Sequence, residues 1–453
     1  MQLRRARGRG DRGGGGRGRR ARRAGHARHV RPIQAGLAAA TAALLGTSMA
    51  AAAESPLEVE SAVLVYSEPQ RVTAVEAVAE AFKAFQNDRT LRIKLIYDAL
   101  SGASANGATP ARTVQTFTSP SGNSTYATQP GDTPLDSTFR DARYATSIGY
   151  AQPLGRLSRL NLGFHGSTET DYLSLGASAG ITRDVNRRNT TLSAGVSLSR
   201  DSVSPQGGTP VPFTPMRPPG DGREDEDDGL EGGSESKQVY DGVIGLTQVV
   251  TRTTLARLNY SISHTSGYTN DPYKLLSVVG APGSEQAGDP LEYLYENRPD
   301  RHTKQSLFTE VRQRIGEHTA DLSYRYLWDD WGITSHTLEL RWRQHLDDRH
   351  YLQPHVRWYR QGQADFFRRY LVDGDPLPDH ATADYRLGDL DALTLGLGFG
   401  RRLSDGQIFK ISAEYYKQYS GRGPPGTFGA LEGSDLYPDV SAVMVRLGYG
   451  RSF

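Results

Sequence analysis

This sequence predicts an all-β fold, a transmembrane antiparallel β-barrel of about sixteen strands with long external loops, and three observations predict it. Apolar residues recur at every second position in segment after segment from residue 58 onward, the period of a strand with one apolar face. The connections between these segments alternate between short turns and long loops, as in barrels that cross a membrane. Finally, Val443, Val445, Leu447 and Tyr449 form a last alternating stretch, and the chain stops on Phe453. A terminal apolar strand is an open edge that invites aggregation in water. A barrel needs such a strand to close against the first one, with its apolar face in lipid. Arg451 interrupts the register near the end, and on this stretch alone the competing reading is an edge strand of a β-sandwich.

Composition removes several alternatives. The 453 residues include no Cys, which excludes disulfides, thiolate metal sites and a Cys nucleophile. Gly is abundant at 50 residues, above the usual level of about 7 %, and Gly opposite the apolar face suits closely packed barrel strands. No apolar run reaches the roughly 18 residues of a transmembrane helix, but a barrel needs only alternate residues to be apolar.

The formal charge of +2 conceals two unlike parts. Residues 1–31 hold 12 Arg and one Asp, a net +11, which leaves 41 basic against 50 acidic residues, near −9, for the rest. Read alone, the Arg/Gly-rich start suggests RNA binding. The adjacent residues argue otherwise: Ala35 to Leu45 form a short apolar core, and Ala50 to Ala53 supply an Ala-x-Ala site. A basic segment, an apolar segment and such a site make a secretory signal over residues 1–53, cut before Glu54. The expected mature chain, 54–453, is exported to the bacterial outer membrane, and no nucleic-acid partner is expected.

In chain order the expected strands are 58–67, 71–84, 89–99, 138–151, 156–168, 171–184, 189–201 and 237–250. The second half adds 253–267, 301–315, 318–330, 333–346, 349–362, 391–403, 406–418 and 440–453. The alternation is plainest at Leu91/Ile93/Leu95/Tyr97, Leu192/Ala194/Val196/Leu198 and Leu393/Leu395/Leu397/Phe399. Long loops are expected at 100–137, 202–236, 268–300, 363–390 and 419–439, all on the side opposite the short turns. With both termini on the short-turn side the count is even, and parity makes 58–67 the first strand. Segment 71–84, rich in Ala and Glu, reads as a helix on propensity alone. As a helix it would leave fourteen strands, or a plug at the start.

Loop 202–236 is Pro/Gly-rich and then acidic, with Asp221, Glu224, Asp225, Glu226, Asp227 and Asp228. Such composition cannot bury a core and is expected to be a disordered, solvated external loop. A divalent cation over 221–228 is the alternative, since carboxylates suit hard cations, but the EF-hand spacing is absent. No cofactor or metal is otherwise expected.

No phosphate-binding loop, dinucleotide fingerprint, nucleophile elbow or His-Glu-x-x-His stands in the chain. Asp329, Asp330 and His336 lie at an expected hairpin tip, where paired carboxylates near a His can activate water. The plainer reading there is a turn, for which Asp-Asp and Gly are suited, with Trp at the membrane interface. Arg92, Lys94, Asp98, Arg257, Glu310, Arg312, Arg325, Glu339, Arg341, Arg343 and Arg357 fall opposite the apolar faces and are expected to line the lumen. They either select permeating ions or form a structural network across the ladders. Three stretches, Asp98 to Pro110, Asp271 to Val279 and Tyr293 to Asp300, are too specific in aromatic and charged content for idle linkers. They are expected to fold into the lumen or to form a ligand surface.

At these residues the chain resembles a proteobacterial family of outer-membrane barrels catalogued as a domain of unknown function. The matching pieces are Leu100 to Gly107, Asp271-Pro-Tyr-Lys274, Tyr293 to Asp300, Tyr324 to His336 and Pro354 to Phe367. The family commonly has Thr and Pro where this chain has Ser101 and Ala105. Its members are often encoded beside a periplasmic flavin transferase, a thioredoxin-like protein and a small lipoprotein. The resemblance therefore implies a role in an envelope redox or metal pathway, with a periplasmic lipoprotein or redox protein as partner. The last strand, ending in Phe453, resembles the signal read by the barrel assembly machinery of outer-membrane proteins.

The leading expectation is a channel or transport/export component embedded in outer-membrane lipid, with loop 100–137 or 268–300 as the constriction. The alternatives are a scaffold for those periplasmic partners and a rim-sited hydrolase using Asp329, Asp330 and His336. An enzyme is not the expected reading.

Overall fold

The computed structural model describes residues 57–118, 125–216, 230–231, 233–403, 406–421, 426–436 and 439–453. The segment 1–53, expected to be a signal, and the acidic stretch 221–228, with the cation considered there, lie outside the described residues.

Sixteen antiparallel strands close into one barrel. The first eight are β1 Leu57–Ser67, β2 Val72–Ala84, β3 Thr90–Ala105, β4 Leu135–Leu154, β5 Ser158–Thr168, β6 Tyr172–Val185, β7 Thr190–Val203 and β8 Glu235–Val249. The rest are β9 Thr254–Gly267, β10 Arg301–Ile315, β11 His318–Asp329, β12 Thr334–His345, β13 His350–Gln361, β14 Leu390–Arg402, β15 Gln407–Ser420 and β16 Val440–Ser452. Each strand pairs with its neighbours in sequence. The ring closes where β1 meets β16, with Glu58 opposite Ser452 and Ser67 opposite Val443.

The segment that reads as a helix on propensity is the strand β2, so the fourteen-strand alternative is corrected. It pairs along its length with β1, from Thr73 opposite Ser67 to Lys83 opposite Leu57, and with β3, from Val72 opposite Gly102 to Ala84 opposite Thr90. Helix propensity separates most residues by only a few tenths of a kcal/mol. An unpaired strand edge in lipid costs several kcal/mol for each unsatisfied group, so closure wins. A second correction concerns β3 and β4, which are 16 and 20 residues long. They stay paired past residue 100, through an irregularity between Gly102 and Ser104, where a loop is expected from sequence.

Alternation decides which side of each strand faces out. Leu95, Val196, Ile244 and Leu397 are each more than half exposed, and many apolar neighbours on the same faces are more than a third exposed. A belt of exposed apolar side chains running round the whole barrel far exceeds what a water-soluble surface carries and matches the hydrocarbon-facing side of a membrane barrel. Tyr240, Tyr324, Trp358 and Tyr419 are exposed on this outer face, and amphipathic rings favour the membrane–water boundary. Arg451 is outward too, with its guanidinium 4.5 Å from the centroid of the Phe453 ring. At the last turn of β16 its long arm can reach headgroups, so its break in the apolar register costs little.

Candidate functional site

The buried hydrophobic core lies in the loops. Trp331, Ile333, Ala364, Phe366, Phe367 and Leu387 form one cluster, Ala108, Phe117, Tyr126 and Leu275 a second, and Leu276, Ala381 and Ala383 a third. All belong to connections at the long-loop end. There, residues 106–134 and 268–300, the two loops expected as alternative constrictions, interlock. Leu275 N donates to Asn106 O (2.8 Å), Thr109 N to Ser277 Oγ (2.9 Å) and Gln115 Nε2 to the Tyr293 hydroxyl (2.7 Å). Gly107 is required at this approach: its φ is +97°, and a Cβ would meet the Leu275 carbonyl at 2.6 Å. Residues 275–279 form the middle strand of a small sheet, antiparallel to 290–295 and parallel to 371–372. Leu276, Ser277 and Val279 in it are wholly buried.

This loop body stops the long-loop mouth. Around that rim the inward side chains of Tyr172, Asp201, Lys237, His302, Ser335, Ala392, Gln418 and Ala442 are all buried. They come from eight strands spread round the ring, so the body fills the opening from side to side. Toward the short turns the inward side chains are exposed: Arg92 by 46 %, Arg312 by 51 % and Arg341 by 49 %. The lumen is a vestibule, open at one end and closed at the other.

A buried ionic network locks the stopper. Loop 268–300 contributes Asp271, Lys274, Glu296 and Arg298, and loop 362–389 contributes Asp384 and Arg386. Arg298 bridges Glu296 (2.6 Å) and Asp384 (2.9 Å), and Arg386 reaches Asp271 at 2.6 Å while also pairing with Asp384. Glu296 also accepts the backbone N–H of Asp271 (2.6 Å) and the Thr382 hydroxyl. Lys274 Nζ donates to Ala105 O at the end of β3, and the Tyr273 hydroxyl donates to the Asp171 carboxylate beside β6. These two bonds tie the stopper to separate parts of the wall. Burial works to raise the Asp384 carboxyl, but Arg386, Lys274 and Arg298 together hold it well below the usual carboxylate range. Asp271 is lowered in the same way: Arg386, Lys274 and Arg298 outweigh its burial. Burial raises Glu296, with only partial relief from Arg298.

The eleven residues expected to line the lumen all alternate with outward apolar positions, and the fold sorts them. Arg92 pairs with Glu80, Arg257 with Glu310 (3.3 Å), Arg312 with Asp321 and Arg341 with Glu339 (2.6 Å). Lys94 lies across the ladder from Glu80. Arg325 lies over the Phe308 ring (5.3 Å), and Arg343 lies over the Tyr351 ring (4.6 Å) while donating to Gln353 (3.0 Å). Arg357 sits over Tyr359 (5.9 Å). A different composition covers β5 to β7, whose inward positions include many small residues, as at Gly163, Gly176, Ser178, Gly195 and Ser197. One wall is therefore rich in guanidinium groups and the other in hydroxyls and bare backbone.

Sequence reasoning missed His355, whose ring nitrogens face Glu339 (3.3 Å) and Glu414 (3.2 Å). Gly396 stands between His355 and Glu414 in the ladder, and with no side chain it lets Glu414 reach across. Periodicity places these residues inward, but only the strand order brings them together.

The rim candidates do not assemble, which corrects their grouping. Asp329 points inward and is 2.8 Å from His302 Nε2, and its other oxygen accepts the N–H groups of Trp331 and Ile333. His302 stacks on Trp331 at 3.7 Å between centroids. Asp330 accepts the N–H of Thr303 (2.8 Å). His336 is on the outer face, where its Nδ1 lies 2.7 Å from the Tyr324 hydroxyl and its ring packs near Tyr326. An odd and an even position on this hairpin face opposite sides, which separates Asp329 from His336. The carboxylates serve the turn.

A family model described as protein of unknown function (DUF3570) matches residues 34–451. No curated protein matches the chain. Among solved structures, the chain is similar to a mutant ferric enterobactin receptor from Pseudomonas aeruginosa, at 10 % identity and a TM-score of 0.40, over 80 % of this chain and 53 % of the receptor. The chain thus spans about half the length of that receptor. It is also similar to a TodX mutant monoaromatic hydrocarbon channel (10 % identity, TM-score 0.40, 92 % and 93 % covered) and to a bacterial polysaccharide outer membrane secretin (8 %, 0.40, 87 % and 97 %).

Proposed function

Because the chain belongs to the DUF3570 family, whose description assigns no activity, we propose a function from the geometry: an outer-membrane barrel that passes small anionic solutes when its stopper shifts. The observation that carries this is the vestibule, lined on one wall by arginines and shut at the far end by loops held through side chains. Arg325, Arg343 and Arg357 lie against aromatic rings. They leave positive charge facing the water of the lumen, which concentrates anions. The apolar outer belt is the support for outer-membrane lipid as the surroundings. The long loops then face outward from the cell and the short turns face the periplasm. A periplasmic lipoprotein or redox partner would meet the short-turn end.

The reading is tested by planar-bilayer recording of the detergent-purified protein in a salt gradient. The expected outcome is anion-preferring openings whose preference reverses with Arg341→Glu and Arg343→Glu. Cation preference in the wild type, or a preference that these reversals leave in place, sinks it.

A further inference from the structure

Two of the inward arginines have no carboxylate to answer them. Arg325 on β11 shares a ladder row with Thr337, Tyr359 and the buried Ala392, one inward step below the buried Ser335. Arg357 on β13 is one inward step further down. Both therefore stand at the blind end of the vestibule, beside the stopper. Each is exposed to the lumen and lies over an aromatic ring, Phe308 at 5.3 Å and Tyr359 at 5.9 Å. Thr337 stands between their strands, and its short side chain fills little of the space between the guanidinium groups. The two cations are close enough to act on each other.

The carboxylates around them are committed elsewhere. Glu339, which faces Arg357 in the ladder, binds Arg341 (2.6 Å) and lies 3.3 Å from His355. Glu414 faces the other nitrogen of His355 (3.2 Å). A ring with both nitrogens toward carboxylates carries both protons, so Arg341 and His355 balance Glu339 and Glu414. On the other flank Glu310 and Asp321 are matched by Arg257 and Arg312. Toward the stopper, Asp329 is held by His302 (2.8 Å). Among the described residues, Arg325 and Arg357 have no carboxylate at ion-pair distance. Two positive charges are left over.

We propose that Arg325 and Arg357 together hold a doubly charged phosphate group, free or as the ester of a small solute, at the blind end of the vestibule. A singly charged carboxylate would leave one guanidinium unanswered. A phosphate offers charge and acceptor oxygens to both forks at once. The Tyr359 hydroxyl donates to Gln361 (2.6 Å), whose amide donates to the carbonyls of Arg386 (2.9 Å) and Gly388 (2.8 Å) in loop 362–389. The ring beneath Arg357 is thus anchored to the stopper, and the site is complete while the mouth is shut. This assignment rests on the lumen being an anion path and names its solute class.

The test is calorimetric titration of the full detergent-folded protein, at a pH where phosphate is doubly charged, with inorganic phosphate, glycerol phosphate and acetate. Saturable one-site binding of inorganic phosphate is expected, with acetate at least about tenfold weaker. Glycerol phosphate binding as well identifies an ester as the solute, and its exclusion identifies the free ion. Arg325→Gln and Arg357→Gln should each weaken phosphate binding at least about tenfold. Lys410→Gln removes a lumenal charge already paired with Glu60 (3.3 Å) and should change binding less than about twofold. Heat-modifiable migration verifies folding, and either arginine variant carries the test alone. No saturable phosphate binding, acetate as tight as phosphate, or an equal loss with Lys410→Gln overturns the proposal. Phosphate binding without anion-preferring openings would sink the proposed function and leave this site standing. Anion preference without phosphate binding would do the reverse.

Discussion

At the two ends of the lumen the same chemistry, an arginine against a carboxylate, sits in opposite surroundings. In the stopper, the side chains of Arg298 and Asp384 are 9 % and 1 % exposed. Near the short turns, those of Arg312 and Asp321 are 51 % and 28 % exposed. Water screens the second pair and would solvate either partner alone, so the pair adds little. Neither partner of the first can be left alone without a desolvated charge. The stopper is therefore an all-or-none device, held while its ionic network is complete. The lower wall can change charge with little effect on the fold, which leaves it free to set what the lumen admits.

If the two ends differ in this way, the largest effect is expected from Arg298→Ala. Glu296 and Asp384 would lose a shared partner inside the stopper, a loss of about 3–5 kcal/mol for a buried pair. Hydrogen exchange should rise across 268–300 and 362–389 while the barrel strands stay protected and heat-modifiable. Equal exchange in the wild type and the variant would mean that the network holds nothing.

Acid should act on the same element, and the sign depends on which carboxylate titrates. Asp271 and Asp384 have depressed values, so their stabilisation is present above the ordinary carboxylate range of about 4. It is lost as pH falls through their lower folded values. Glu296 is raised, so its ionised form costs stability, and protonating it on the way down relieves that cost. Protease resistance of the loops should therefore hold or rise slightly from neutral to mildly acidic pH and then collapse below about pH 4. A steady decline from neutral pH would be inconsistent with the assignment.

Gly396→Ala probes the contrast from the wall side. The added methyl must push Glu414 away from His355, at a cost of about 1 kcal/mol, visible as a small drop in the denaturation midpoint with the barrel intact. The smallest effect belongs to Arg92→Gln. It breaks the exposed pair with Glu80 and should change stability by less than about 1 kcal/mol. A loss comparable to that of Arg298→Ala would erase the distinction between the two ends.

Much of the barrel is legible in the sequence because a membrane imposes period 2 on every strand. The eleven lumen residues follow from that rule alone, since Arg341 and Arg343 must oppose Leu338 and Leu340. β2 is obscured because Ala and Glu favour helix locally, while closure against β1 and β3 is a property of the whole ring. The stopper is half legible. Asp271 to Lys274 and Tyr293 to Asp300 stand out by composition, but their partners Thr382, Asp384 and Arg386 sit about a hundred residues away in a loop with no period. Asp329 and His336 look like a site because they are close in sequence, and one step of parity puts them on opposite faces.

Whether this loop body closes the lumen can be read from single-channel conductance of the wild type beside Arg298→Ala. A locked stopper gives a wild-type barrel that is closed with rare, brief openings, and a variant that is open for most of the record at the same unit conductance. A wild type that conducts steadily, with nothing gained by the variant, would mean that the loops do not close the barrel.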